Sequence, residues 1–127
     1  MKKLFLVILS TLFVLLEASN LKHAQSYKQA IDQGVKEKKN VILFVYSSYC
    51  PWCKKMEKTT LQDPEVIKYV NDNYIFVAVN QDVDAFPEKF LPYGVPTTYV
   101  IDPTIEEKMF TMKGYKSSKS FLNRIRQ

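Results

Sequence analysis

Two stretches of this chain are apolar without alternation, Val41 to Tyr46 and Tyr74 to Val79, and segments of helical periodicity flank both. A β-branched and aromatic run of this kind predicts a strand buried on both faces, as in a parallel sheet. Ahead of the first strand, Ala24 to Lys38 carries Tyr27, Ala30, Ile31 and Val35 near helical spacing, an amphipathic helix. Gly34 weakens its end, and Lys36, Lys38 and Lys39 suit a helix C-terminus. From Cys50 to about Thr60 the pattern is helical again, with Trp52 and Met56 four apart. Asp63-Pro64-Glu65 opens a further helix with a capping carboxylate, proline at the first position and an acid in the first turn.

Asp84 to Leu91 reads as a short helix, Pro92-Tyr93-Gly94 as a loop and Thr97 to Ile101 as a third strand. Asp102-Pro103 predicts a turn, and Lys108 to Met112 a fourth, more exposed strand that Gly114 ends. Ser117 or Ser118 can cap a last helix, whose Phe121, Leu122 and Ile125 share one face. The order α-β-α-α-β-α-β-β-α predicts an α/β fold: a central mixed sheet of four to five strands flanked by helices on both faces.

The first residues change the picture of where the protein works. Met1-Lys2-Lys3 is followed by an apolar run from Leu4 to Leu16 and then Glu17-Ala18-Ser19. That layout predicts a secretory signal peptide over residues 1–18, since the run falls short of the ~20 residues of a membrane-spanning helix. An uncleaved anchor through residues 4–16 is the alternative. Cleavage leaves a linker over 19–23 and one domain over 24–127, a length that supports a single core and not two. The expected location is the periplasm or the exterior.

The formal charge is +5, from 18 basic and 13 acidic residues, and the lysines are scattered. A solvated surface explains them better than a nucleic-acid or membrane patch. His23, the sole histidine, falls in the expected linker; two cysteines and one distant histidine do not furnish a zinc site, so no metal is expected. Asn80, Asp82 and Asp84 resemble the start of a calcium loop but lack its glycine and terminal glutamate.

Chemistry concentrates at Cys50-Pro51-Trp52-Cys53, which holds the only two cysteines of the chain. Two intervening residues, at a strand end and opening a helix, give the geometry of a reversible disulfide at a helix N-terminus. So short a loop would add little entropic stabilisation, so the pair reads as chemistry and not as a staple. A cysteine there faces free N–H groups and the positive end of the helix dipole, which lowers its pKa. Free cysteine titrates near ~8.5, and Cys-x-x-Cys sites reach roughly 3.5–7.5. Pro51 has no N–H to lose in the first turn. Lys54, Lys55 and Lys58 stand near that positive end, costing the helix stability while favouring a thiolate, or serve solubility alone.

With Tyr49-Cys50-Pro51-Trp52-Cys53-Lys54 after the first strand and Gly94-Val95-Pro96-Thr97 before the third, the chain resembles the thioredoxin superfamily. The sequence Cys-Lys-Lys-Met-Glu-Lys followed by Asp-Pro-Glu-Val is most similar to exported thioredoxin-like proteins, including the C-terminal domain of the transmembrane thiol:disulfide reductase. The resemblance implies a thioredoxin-like fold in which Cys50 is the exposed nucleophile, Cys53 the resolving cysteine and Pro96 a cis-proline beside the disulfide. It implies that the Val95 backbone pairs with an extended substrate strand. Trp52 shields the site or simply packs, and Tyr46, Tyr49 and Tyr93 are candidate rim residues. Many thioredoxins carry a buried acid six residues before the nucleophile, where this chain has Phe44. Glu57, one turn beyond Cys53, is the candidate substitute base, with a solvated surface glutamate as the plain alternative.

The function expected is an exported thiol–disulfide oxidoreductase working on protein thiols and disulfides, in the reducing direction. Its expected cofactor is none beyond the Cys50–Cys53 disulfide, its donor membrane-bound, its state monomeric. A disulfide oxidase, a non-catalytic binding or chaperone module and a soft-metal-binding dithiol are the rivals.

Overall fold

The computed structural model describes residues 20–127. The signal peptide expected over 1–18 lies outside the described residues. The chain then follows α1 (Tyr27–Glu37), β1 (Asn40–Tyr46), α2 (Pro51–Lys58), α3 (Pro64–Asn73), β2 (Tyr74–Asn80), β3 (Thr97–Asp102), β4 (Glu107–Lys113) and α4 (Ser118–Ile125). Short 3-10 turns cover Thr60–Gln62 and Glu88–Phe90.

The four strands form one mixed sheet in the order β2-β1-β3-β4. β1 runs parallel to β2 and antiparallel to β3, and β4 returns antiparallel along β3. The two uninterrupted apolar runs are thus neighbours at the centre and one edge, and β1 is sealed on both faces from Val41 to Val45. Its side chains feed two cores. Ile42 and Phe44 join Met56, Val66, Val70, Phe76 and Phe121 under α2, α3 and α4. Val41, Leu43 and Val45 meet Tyr27, Ala30 and Ile31 of α1, with Phe90 and Tyr99.

Two helices differ from expectation. α1 begins at Tyr27 and not at Ala24, because the Ser26 hydroxyl caps it by accepting the Gln29 amide at 3.1 Å. Residues 22–24 are occupied otherwise: His23 bridges to Phe76 of β2, and the Ala24 amide donates to the Phe76 carbonyl at 2.8 Å. The helix expected over Asp84–Leu91 is only the 3-10 turn Glu88–Phe90. Pro87 in its middle lacks the N–H an α-helix needs, and Asp84 is spent accepting the Asn80 amide at 2.8 Å. Gly34, which reads as a weak point, is a close approach: a Cβ there would lie 2.8 Å from the Lys39 carbonyl oxygen and 3.0 Å from Pro103.

Candidate active site

The loop from β1 to α2 brings Cys50 to the helix N-cap, in extended backbone, with Pro51 at the first helical position. The Cys50 sulfur accepts the Cys53 amide at 3.1 Å, so a sulfur occupies the place where a capping oxygen usually sits. Cys50 and Cys53 are joined as a disulfide with Cα atoms 5.2 Å apart. Cys50 keeps 6% of its surface exposed and Cys53 1%, so an incoming sulfur meets Cys50 first. The approach loop is pinned at Ser48, whose amide donates to Asp82 at 3.1 Å and whose hydroxyl receives the Asn80 side-chain amide at 3.1 Å. The acidic cluster after β2 therefore serves as a clasp for that loop. Among the described residues no group of three or more His, Cys, Asp and Glu side chains gathers to hold a metal ion.

Opposite α2 stands the Val95–Pro96 peptide, which is cis. The Pro96 carbonyl receives the Gly114 amide at 2.8 Å, tying the end of β4 to this loop. Gly114 has φ +75°, a conformation that favours glycine. A hollow of about 400 Å³ lies between the two sides, lined by Trp52, Val95, Pro96, Gly114 and Tyr115. Trp52 and Tyr115 face each other at 5.8 Å between ring centroids, and the Lys55 ammonium lies 5.0 Å and 4.9 Å from them. Trp52, Val95 and Pro96 thus come together, and Tyr115 joins them.

The lysines correct one expectation. α2 ends at Lys58, so Lys55 and Lys58 occupy its last turn, at the favourable negative end of the dipole. The helix stops there because Thr59 departs from ideal helical geometry, at φ −113° and ψ −78°, and the chain tightens into the 3-10 turn Thr60–Gln62. Only Lys54 remains toward the positive end.

Phe44 fills the floor beneath the cysteines with no exposed surface, and it packs near Phe76 at 6.4 Å between centroids. Glu57 lies on the Cys53 face of α2, one turn on, and is half-buried. Burial pushes its carboxyl above the ordinary range, against the opposing pull of the Lys54 ammonium. Its charge also raises the Tyr46 hydroxyl, after burial and Asp84. Tyr49 and Tyr93 are exposed. Thr98, which pairs with Phe44 across β1 and β3, is buried on the same face, and its hydroxyl has no hydrogen-bond partner among the described residues. Neither Thr98 nor Tyr115 stands out in sequence; the antiparallel pairing of Thr97 with Lys113, which brings the β4 end beside Pro96, locates Tyr115.

Solved structures share this fold. A thioredoxin from Thermus thermophilus superposes with a TM-score of 0.72 at 23% identity, over 86% of each chain. The reduced DsbD C-terminal domain of Neisseria meningitidis gives 0.62 at 27% identity, over 79% of this chain and 91% of that one. A curated relative, spermatogenesis-associated protein 20 of Mus musculus, is 36% identical over 55 residues, 43% of this chain and 7% of its own length. This chain thus spans only a small part of that relative. Residues 27–127 match the family model described as the thioredoxin-like domain. With a bonded Cys50–Cys53 pair at the helix mouth and a cis-proline facing it, the chain belongs to the thioredoxin-like domain family.

Proposed function

We propose that this protein is an exported thiol–disulfide oxidoreductase that reduces disulfides of other proteins. The observation that carries the reading is the Cys50 sulfur itself, capping α2 at the free N–H groups of its first turn and the more exposed of the pair. In the reduced protein Cys50 is the thiolate. It attacks one sulfur of a substrate disulfide and the other leaves as a thiolate. Cys53 then loses its proton to Glu57 and attacks the Cys50 sulfur of the mixed disulfide. The substrate's second thiolate departs, Cys50–Cys53 is oxidised, and two electrons have passed to the substrate. A dithiol donor, membrane-bound on this reading, must return them. The backbone of Val95 holds the substrate as an added strand.

The reducing direction is supported by the likeness to the DsbD C-terminal domain, and export by the basic-apolar-small layout of residues 1–18. Trapping tests substrate and chemistry together. Cys53→Ala should retain protein partners covalently on Cys50, released by dithiothreitol, and an absence of trapped partners would oppose the reading. Equilibration with glutathione tests direction: a potential below about −180 mV is expected, and one well above it would mark an oxidant.

A further inference from the structure

A second, larger hollow of about 530 Å³ opens from the first, and Val95, Pro96 and Gly114 belong to both. It lies over the sheet face of Tyr99 and Thr111, opposite the cysteine face, and reaches Leu91 and Tyr93 on one flank. Its polar flank is basic: Lys89, Lys108 and Lys113 line it, and no carboxylate does. Lys89 is already engaged, with Glu107 at 3.6 Å and with the Glu106 carbonyl. Lys108 and Lys113 are exposed on the edge strand β4 and form no ion pair among the described residues. Leu91 and Tyr93, both exposed, give the same hollow an apolar side.

Resting on the reading above, we infer that this hollow extends the substrate groove and selects segments in which carboxylates flank the target cysteine. A chain laid across Pro96 to reach Cys50 leaves the first hollow through the shared wall and enters the second. There, Asp or Glu side chains meet Lys108 and Lys113, while an apolar residue rests on Leu91 and Tyr93. Charge matching of this kind chiefly raises the rate of encounter and suppresses wrong partners. Lysines on an edge strand also discourage accidental strand pairing, and that role alone would give no preference among substrates.

The test uses reduced protein and cysteine peptides carrying a small neutral disulfide cap, identical except for neighbours that are acidic, neutral or basic, placed on either side of the cysteine. A small uncharged disulfide, measured in parallel, reports whether exchange occurs at all; its failure would sink the proposed function. Given exchange, the acidic peptides in one of the two series should react about tenfold faster than the neutral ones at low salt. The gap should close at high ionic strength and shrink severalfold in K108Q/K113Q. Equal rates for all three charges, or an acidic preference that survives intact in K108Q/K113Q, would overturn the inference while leaving the exchange chemistry standing.

Discussion

Beneath the disulfide, Phe44, Met56, Phe76 and Val100 are sealed from solvent, whereas beside it Tyr49 and Trp52 stand in it. The floor is apolar throughout apart from the Thr98 hydroxyl; the rim collects Lys54, Lys55, Glu57 and the aromatic pair. The difference separates two tasks. A floor without an ionisable group holds the helix mouth in place, and on the proposed mechanism proton handling falls to Glu57, a group that water can also reach. On that mechanism Phe44 and Glu57 divide the two tasks between floor and rim.

Three substitutions sharpen or break that division. Phe44→Ala removes a fully buried ring from the floor and should cost about 3–5 kcal/mol in denaturant unfolding, with the exchange rate of the folded protein little changed. Slowed chemistry in the folded state would mean that the floor also reacts. Glu57→Gln should slow resolution of a mixed disulfide about tenfold or more near neutrality, with the loss fading as alkali deprotonates Cys53 unaided. An unchanged rate would leave Glu57 a surface charge. The same variant carries a stability sign: because burial raises the folded carboxyl, wild type is favoured in acid and loses that advantage as pH rises through the folded value. E57Q should therefore melt higher than wild type at neutral pH, with the difference vanishing in acid; the reverse order would contradict the burial argument. Thr98→Val, the smallest change, replaces an unpartnered buried hydroxyl with a methyl and should stabilise by about 1 kcal/mol. A clear loss of stability would show that the hydroxyl has a partner in solution.

Much of this was legible in residue order because it depends on local rules. Unbroken apolar runs mark β1 and β2, Asp63-Pro64 marks the start of α3, and Ser117 caps α4 as expected. Structure and periodicity part where a single residue overrides the local pattern. Ser26 starts α1 late and Pro87 reduces a helix to one turn, while α2 is only eight residues long, so Lys55 and Lys58 fall in its last turn. Within the site, Cys50, Cys53 and Pro96 could be found by motif. Tyr115 and Thr98 could not, since one arrives through strand pairing and the other is defined by what fails to bond with it.

The central claim is that the helix mouth keeps the Cys50 sulfur ionised near neutral pH. Following thiolate absorbance or alkylation of the reduced protein against pH measures it directly. One sulfur should titrate between roughly 3.5 and 7.5 and react fast, the other well above it. Two thiols that both titrate near ~8.5, and that fail to form the bond between them under mild oxidation, would contradict it.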